Sequence, residues 1–306
     1  MKKLVTNCNN EIAYIREGQG FPIILIHGLD GNMASLFSLK EELKQHYEVI
    51  VYDVRGHGKS SKPNSFNLED HVEDLKGLMT KLDISTAHII GHDMGGLIAK
   101  HFNDSYNSMV KTLTLIACNL IDSVHGLNKL MIEHQDEIEG FDKSESLILL
   151  LPYMYQAEDK AKWWFQNQLI YSRQSAEDSA VATRALMEFP VFNKDVVIKN
   201  TETPTLIING KYDSLVPSEV IEKYHYAFTS LKMVEFEHSG HAPHIEEPKH
   251  FLDVYSDFIN VTEYQKYWSG IFGILFFIHC TNDKHLKIPY IKINLRHNKS
   301  CLRIIF

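Results

Sequence analysis

The chain has 306 residues, of which 44% are hydrophobic and 23% charged, and its formal net charge is -8. This length is enough for one large α/β domain, and the apolar content can supply a full core. The acidic balance argues against a surface that binds the phosphate backbone of nucleic acids.

The cysteines and the apolar stretches bear on the cellular compartment. The four cysteines lie far apart, without a CxxC pair or a dense disulfide framework, which favours a reducing cytoplasm. Residues 1–15 contain no apolar run of signal-peptide length. The apolar stretch at 271–278 is much shorter than the roughly 20 residues that span a bilayer. We therefore expect a cytoplasmic protein without a transmembrane helix.

The first part of the chain alternates predicted strands and helices. An alternating segment at 11–17 is typical of an edge strand, and continuous apolar runs at 22–28 and 47–56 are typical of buried strands. Segments 36–46 and 68–83 carry leucines at steps of three and four residues, which predicts amphipathic helices.

The alternation continues with a strand at 87–93, a helix beginning at Gly95 and a strand at 110–118. Repeated βαβ units predict an α/β fold with a mostly parallel central sheet flanked by helices. From about 119 to 200 there are no strand runs, and the sequence is rich in leucine and aromatic residues in a pattern typical of helices. We interpret this stretch as a helical cap inserted into the order of the sheet.

After the cap, strand and helix patterns resume at 203–213, from Pro217 onward, at 231–241 and at 248–260. The predicted division is therefore a core of 1–118 and 201–261, a cap of 119–200 and an extension of 262–306. The extension carries seven Lys/Arg against two Asp/Glu. Its pattern favours a segment without a catalytic role, and a membrane-surface or partner segment is the alternative.

The segment at 89–96 combines an apolar strand, Gly91-x-Asp93-x-Gly95 and a following helix. This is the spacing of a nucleophile elbow, a sharp strained turn that needs small residues on both sides of the central one. The alternative is an ordinary strand-to-helix turn in which Asp93 caps the helix.

Four further motifs occur in order at 26–29 (IHGL), 52–60 (YDVRGHGKS), 210–217 (GKYDSLVP) and 239–248 (SGHAPHIEEP). Together with the elbow they resemble the α/β-hydrolase superfamily across residues 10–260. Because the elbow carries an aspartate, the chain resembles the branch of this superfamily that includes epoxide hydrolases and haloalkane or haloacetate dehalogenases. The resemblance implies an α/β-hydrolase fold and an order of nucleophile, acid and histidine along the chain.

That order makes Asp93 the nucleophile, Asp213 the acid and His241 the base. His244 is the competing base, since it lies three residues farther on. A capping or turn role is the alternative for Asp213, and the rival acid position after the 110–118 strand offers Asn119 and Asp122. His27 is expected to brace the loop that follows the 22–28 strand.

An aspartate nucleophile changes the expected reaction, because a carboxylate is already ionised at neutral pH and needs no activating base. Attack on an ester would produce a reactive anhydride, whereas attack on a saturated carbon leaves a stable alkyl ester. We therefore expect a small apolar epoxide or alkyl halide as substrate and water as co-substrate. His241 would activate that water, and the N–H groups of Leu29 and Met94 would form the oxyanion hole.

Help for the leaving group is expected from the cap. Epoxide hydrolases use cap tyrosines to hydrogen-bond the opening ring oxygen. Haloalkane dehalogenases often place a tryptophan directly after the nucleophile, and haloacetate dehalogenases commonly place an arginine there. In this chain Met94 occupies that position. The candidates for substrate binding or leaving-group stabilisation are Tyr153, Tyr155, Tyr171, Trp163, Trp164 and His92. Core or pocket lining is the alternative for the tryptophans, and packing in the elbow is the alternative for His92.

The loop HGLDGN at 27–32 departs from the HG-x-Pro of epoxide hydrolases and resembles the serine esterase and carbon–carbon hydrolase branch. An ester or carbon–carbon bond hydrolase is therefore the alternative function, and a non-catalytic small-ligand binding protein of the same fold is a third. The sequence predicts no cofactor and no metal, and it leaves a homodimer open.

Overall fold

The structure is a computed structural model that describes residues 1–6, 9–120, 125–187, 201–222, 224 and 228–262. Residues 1–262 form one unit by their internal contacts. Asp122, part of the predicted cap and nearly all of the predicted basic extension lie outside the described residues.

Eight strands of the described residues form one sheet in the order β1-β2-β4-β3-β5-β6-β7-β8. Strands β3 to β8 pair in parallel, whereas β1 and β2 pair antiparallel at one edge. The predicted mostly parallel sheet is confirmed. The strands are β1 (Lys2–Val5), β2 (Glu11–Glu17), β3 (Pro22–Ile26), β4 (Glu48–Tyr52), β5 (Ala87–His92), β6 (Val110–Ile116), β7 (Thr205–Gly210) and β8 (Leu231–Phe236).

Helices flank the sheet because its central strands are apolar on both faces. Alternate side chains of β3 point to opposite sides, so Ile24 packs in one apolar cluster and Leu25 in another. The helices are α1 (Phe37–Leu43), α2 (Leu68–Lys81), α3 (Met94–Ser105), α4 (His125–Glu133), α5 (Gln135–Ile138), α6 (Lys143–Met154), α7 (Glu158–Tyr171), α8 (Ala176–Met187), α9 (Ser218–Ile221), α10 (Pro243–Glu246) and α11 (248–262). Helices α2 and α3 contribute to the first cluster, and α1 and α11 contribute to the second.

The predicted elements differ from the observed ones mainly at their ends. Helix α1 is preceded by a 3₁₀ turn at Met33–Leu36, and α2 ends at Lys81. Strand β8 ends at Phe236 instead of continuing to His241, because residue 239 turns back to donate its N–H to the Phe236 carbonyl. A loop thus carries His241 away from the sheet.

Helices α4 to α8 all come between β6 and β7. Leu150, Leu151 and Trp164 pack in a cluster of their own with Ala242 and Ile245 from the loop and helix that follow β8. The inserted helices therefore lie over the carboxyl ends of the strands. None of the helices in the described ranges has the length and apolar character needed to cross a membrane.

Candidate active site

The turn between β5 and α3 places Asp93 in a strained conformation, with φ 50° and ψ −119°. Positions 91 and 95 of the motif require glycine, because a Cβ at either position would clash with backbone atoms. A Cβ on Gly91 would collide with the backbone of Gly95, and a Cβ on Gly95 would collide with the carbonyl oxygen of Ile26. Asp93 holds the cap position of α3, but its side chain makes no capping bond there. The carboxylate is thereby left for other partners.

Two backbone N–H groups hold the Asp93 carboxylate. The Leu29 N–H donates to Oδ2 over 2.9 Å, and the Met94 N–H also donates to the carboxylate. Gly28 makes the close approach possible, because a Cβ there would lie 2.8 Å from Oδ2. One carboxylate oxygen is therefore held where an oxyanion hole is expected.

His241 and Asp213 form a buried pair beside Asp93. Nδ1 of His241 lies 3.1 Å from Oδ2 and 3.2 Å from Oδ1 of Asp213. Oδ1 also accepts the N–H groups of Leu215 and Val216 over 2.9 and 3.0 Å, so the turn after β7 fixes the carboxylate. This pairing orients the imidazole toward the cavity, which both His241 and Asp93 line.

The competing base, His244, and the rival acid position after β6 do not form such a pair among the described residues. Neither ring nitrogen of His244 has a hydrogen-bond partner among the described residues, and burial lowers the pKa of this histidine to about 3. Asn119 lines the cavity after β6, whereas Asp122 lies outside the described residues. His27 is buried beneath the loop it was expected to brace, and its Nε2 accepts the N–H of Val54. Burial lowers the pKa of His27 to about 4, which keeps the ring neutral.

Charges in the site act on one another strongly because it is buried. Burial opposes protonation of His241, but the carboxylates of Asp213 and Asp93 outweigh it and raise the pKa of His241 to about 9. Burial also raises the pKa of Asp93, although His241 and the two backbone N–H groups oppose the shift. At neutral pH the site therefore holds His241 as an imidazolium beside the side chains of Asp213 and Asp93.

A cavity of about 90 Å³ opens onto Asp93 and His241. Its walls are largely apolar, because leucines and aromatic side chains of the inserted helices line it together with Asp93 and His241. The apolar and aromatic lining residues include Leu127, Leu147, Leu151, Met154, Tyr155, Trp164, Phe165 and Leu215. Such a lining fits a small apolar substrate.

Three of the six predicted substrate residues line this cavity, namely Tyr155, Trp164 and His92. The ring centroids of Tyr155 and His241 lie 6.3 Å apart. The indole N–H of Trp164 donates to the Ser35 carbonyl over 2.7 Å, so it is already occupied. Nε2 of His92 donates to the carbonyl of His241 over 2.8 Å, which helps to hold the loop of the base.

The other three are not brought to the cavity wall. The hydroxyl of Tyr153 donates to Glu137, and the ring is 40% exposed. Tyr171 donates to Oδ2 of Asp53 over 3.0 Å, and Trp163 is 58% exposed. These side chains face away because successive residues of a helix point in different directions.

Glu246 is a buried residue of the site that sequence reasoning did not single out. Its Oε1 accepts the N–H groups of Gly240 and Ala242, which flank the base, and its Oε2 accepts those of Gln156 and Ala157, which join α6 to α7. The His241 N–H itself donates to the Met154 carbonyl over 2.8 Å. The inserted helices and the histidine loop are therefore joined directly. The motif at 239–248 contains Glu246, but nothing in it indicates burial.

No group of three or more His, Cys, Asp or Glu side chains within the described ranges is arranged to hold a metal ion. What the site offers is a carboxyl group, two backbone donors, a paired imidazole and a phenol around an apolar cavity. These groups suit a hydrolysis.

Known proteins similar to this chain carry out several kinds of hydrolysis. A family profile described as the α/β hydrolase fold matches residues 22–135 and 152–248. Among curated relatives, a proline iminopeptidase of Heyndrickxia coagulans is 28% identical over 79% of this chain and 92% of its own length. Two solved structures are also similar in fold. They are a thermophilic esterase from Thermogutta terrifontis (TM-score 0.70, 24% identity, 85% and 98% of the two chains) and an inhibitor-bound epoxide hydrolase from Bacillus megaterium (0.67, 19%, 85% and 100%).

Proposed function

The chain belongs to the α/β hydrolase fold family, and we propose that it hydrolyses small apolar epoxides through an alkyl ester of Asp93. Alkyl halides are the second substrate class open to such a nucleophile. The observation that carries the proposal is the state of the Asp93 carboxylate. Oδ2 accepts the Leu29 N–H over 2.9 Å, and Oδ1 is the oxygen to which we assign the attack on carbon.

In the first step, Oδ1 of Asp93 attacks a ring carbon and the carbon–oxygen bond of the epoxide breaks. The ring oxygen takes its proton from the phenol of Tyr155, and a hydroxyalkyl ester remains on Asp93. Burial raises the pKa of Tyr155 well above its usual range, with the charges of Glu246 and Asp213 adding to it, so the phenol remains protonated before the reaction. The imidazolium of His241 can then return a proton to the phenolate.

Epoxides are favoured over halides by the donors that face the cavity. A halide needs N–H or O–H donors around it, and in haloalkane dehalogenases tryptophan often provides them. Here the Trp164 N–H is bonded to the Ser35 carbonyl and the Trp163 side chain is exposed. Tyr155 lines the cavity and supplies the kind of donor that an opening epoxide requires.

The second step follows from the loss of charge in the first. The ester cancels the negative charge of Asp93, which had helped to raise the pKa of His241 to about 9. The pKa of His241 then falls, and the neutral imidazole takes a proton from water that attacks the ester carbonyl carbon. The oxyanion forms on Oδ2, which accepts the Leu29 N–H, and the Met94 N–H also donates to this carboxyl group. Its collapse breaks the bond to the alkyl oxygen, and the departing alkoxide takes the proton of the new Asp93 carboxyl group. The diol leaves, Asp93 is again a carboxylate, and His241 keeps the proton that it took from water.

The test is intact-protein mass spectrometry of His241→Gln incubated with a panel of terminal epoxides and haloalkanes. We expect the variant to gain the mass of one epoxide, or of one haloalkane less HX, because the second step is blocked, with the adduct mapped to residue 93. Asp93→Asn is the matched control, since it keeps the shape of the side chain and is a far weaker nucleophile. Wild type should release diol and accumulate no adduct.

An absence of adduct in His241→Gln would contradict the proposal if the wild type hydrolysed p-nitrophenyl esters briskly. That outcome would favour the alternative of an ester or carbon–carbon bond hydrolase. If the wild type bound the same compounds without turnover of epoxide, halide or ester, the non-catalytic alternative would stand instead.

A further inference from the structure

The Leu29 N–H, which donates to the Asp93 carboxylate, belongs to a tight turn. The Gly31 N–H donates to the Gly28 carbonyl over 3.2 Å and closes this turn. Of its two central residues, Leu29 and Asp30, only Asp30 has a positive φ, at 56°. A closed turn with a positive φ at its third residue alone is of type II, which favours glycine or asparagine at that place. The backbone of Asp30 is therefore held in a conformation that few residues other than glycine adopt.

Two buried histidines bond to this turn, one on each side of Leu29. Nδ1 of His27 donates to the Gly28 carbonyl over 2.8 Å, and Nε2 of His57 accepts the Asp30 N–H over 3.3 Å. Because a peptide unit is planar and trans, a fixed Gly28 carbonyl also fixes the direction of the Leu29 N–H. His57 holds the next peptide unit, so Leu29 lies between two peptide units that are both held.

The partners of each ring determine which nitrogen carries the proton. Nε2 of His57 faces an N–H donor, and Nδ1 lies 3.1 Å from the Arg55 carbonyl, which can only accept. His57 must therefore be neutral, with its proton on Nδ1. The same holds for His27, whose Nε2 accepts the Val54 N–H while its Nδ1 donates. Burial lowers the pKa of both rings to about 4, which agrees with neutral imidazoles.

His57 stabilises the observed turn against its nearest alternative. A type I turn, which suits most residues, differs from type II mainly by a flip of the peptide unit between the two central residues. In this chain that unit carries the Asp30 N–H, and the flip would turn the Leu29 carbonyl toward Nε2 of His57. Because His57 is fully buried, two acceptors facing each other there would be costly. The Asp30 side chain is held separately, by an ion pair of 2.5 Å with Lys143 on α6.

We propose that His57 is a positioning residue for the oxyanion hole, which holds the turn in the conformation that directs the Leu29 N–H at Asp93. His57 does not line the cavity and acts through the peptide unit of Asp30. This inference rests on the proposed function for the reaction that it affects. The step most sensitive to His57 is the hydrolysis of the ester, in which negative charge develops on Oδ2 beside the Leu29 N–H.

His57→Phe removes the acceptor and keeps a flat ring against His27, whose ring centroid lies 5.3 Å from that of His57. We expect kcat for an epoxide to fall about tenfold, because a displaced donor loses part of its stabilisation of the oxyanion. The value of kcat/KM, which reports the first step, should change much less. The alkyl ester on Asp93 should therefore accumulate during turnover, which intact-protein mass spectrometry would measure.

Two further variants separate positioning from packing. In His57→Gln the amide oxygen can accept the Asp30 N–H, so kcat should return to within about threefold of the wild-type value. His71→Leu replaces another buried histidine, whose ring nitrogens have no hydrogen-bond partner among the described residues, and should leave kcat unchanged. Equal losses of kcat in His57→Phe, His57→Gln and His71→Leu would overturn the inference.

Nuclear magnetic resonance tests the geometry without turnover. In wild type labelled with nitrogen-15, the ring of His57 is assigned by the loss of its signals in His57→Phe, and it should be neutral with its proton on Nδ1 at pH 7. Exchange of the Leu29 and Asp30 amide protons with solvent should be about tenfold faster in His57→Phe than in wild type or His71→Leu. A His57 ring protonated on Nε2 at pH 7, or unchanged exchange in His57→Phe, would contradict the positioning role.

The outcomes separate this role from the reaction. Suppose that His57 is protonated on Nδ1 and that exchange is faster in His57→Phe, but that the enzyme hydrolyses p-nitrophenyl esters and no epoxide or halide. Such a result would support the role of His57 and contradict the proposed function. Epoxide turnover with the same kcat in wild type and His57→Phe would contradict the role and support the proposed function.

Discussion

Asp93 and His241 each alter the protonation of the other. The Asp93 carboxylate helps to raise the pKa of His241 to about 9, and the charge of His241 in turn opposes the rise that burial causes in the pKa of Asp93. Asp93 and His241 are therefore a coupled pair, and in the mechanism we propose His241 becomes available as a base when Asp93 is esterified.

We expect the imidazole of His241 to titrate near pH 9 in the wild type and at lower pH in Asp93→Asn, which removes the neighbouring charge. Histidine NMR signals followed from pH 5 to 10 would measure both values. His244 is the internal control, because its pKa of about 3 keeps it neutral over this range. An unchanged midpoint in Asp93→Asn would mean that Asp213 and Glu246 alone raise the pKa.

Among the elements, the short connection between α6 and α7, which we call the joint, helps to position the loop that carries His241. Through Met154, Gln156 and Ala157 it bonds to the loop that carries His241, partly by way of Glu246. The position of the base thus depends on helices that come almost a hundred residues earlier in the chain.

Replacing Glu246 by Gln should weaken this joint, because an amide NH₂ would face two backbone N–H donors. We expect the free energy of unfolding to fall by roughly 3 kcal/mol, the scale of two charge-assisted hydrogen bonds. We also expect kcat to fall about tenfold as the base loses its alignment, while KM changes less. The pKa of His241 should fall too, since the Glu246 charge contributes to it.

Glu247→Gln is the matched control for these measurements. Its carboxylate holds His238 and Ser239 in the same loop and has no described bond to the inserted helices. Equal losses of kcat in both variants would show that the loop alone matters, and that the joint to α6 and α7 does not.

The sequence predicts the sheet and the elbow well because local sterics decide both. A short continuous apolar run that glycine ends, such as β3, is typical of a buried strand, and Gly91 and Gly95 stand where a Cβ has no room. In the inserted helices, by contrast, the sequence does not predict which side chains line the cavity. Tyr153 and Tyr155 are two residues apart, yet one is exposed and the other lines the cavity.

What separates these tyrosines is how the end of α6 docks on the histidine loop. Tyr155 leaves the helix in an extended conformation (φ −132°, ψ 143°), and its neighbours bond to Glu246. These are tertiary contacts, which neither helical periodicity nor residue type encodes. The same reason explains why the bond between Trp164 and Ser35 was not predictable.

For the molecule as a whole, buried histidines set the dependence of stability on pH. Burial lowers the pKa of several histidines, to about 4 for His27, His57, His88 and His101 and to about 3 for His244. An unfolded chain titrates these groups near 6.5 and so binds more protons than the fold between pH 6.5 and 4. Their contribution to stability is therefore lost as the pH falls through this window.

His241 changes the stability with pH in the direction opposite to that of the other buried histidines. Its pKa is raised in the fold, so its contribution is present below about pH 6.5 and is lost as the pH rises toward 9. We expect the midpoint of thermal unfolding to be highest near pH 6.5, with a steep acid limb and a shallow alkaline one. Scanning calorimetry of wild type and His241→Gln would show this, because the variant should lack the alkaline limb.

His71→Leu tests the acid limb. Neither ring nitrogen of His71 has a hydrogen-bond partner among the described residues, and burial lowers its pKa well below the usual value. An apolar replacement should raise the midpoint at pH 5 by a few degrees, since an unsatisfied buried group costs ~1–3 kcal/mol. A lower midpoint at pH 5 would mean that the packing of this ring beside Phe66 outweighs its desolvation.

The bond from the His241 N–H to the Met154 carbonyl also limits how the protein can be recombined. Exchanging the inserted helices with those of a relative would be attempted as a way of moving substrate preference from one scaffold to another. In this chain such a graft would also replace a support of the base. A chimera should therefore retain residues 154–157 together with Glu246, and a library for altered specificity should begin its variation farther out, on the faces of α6 and α7 that line the cavity at Asp93.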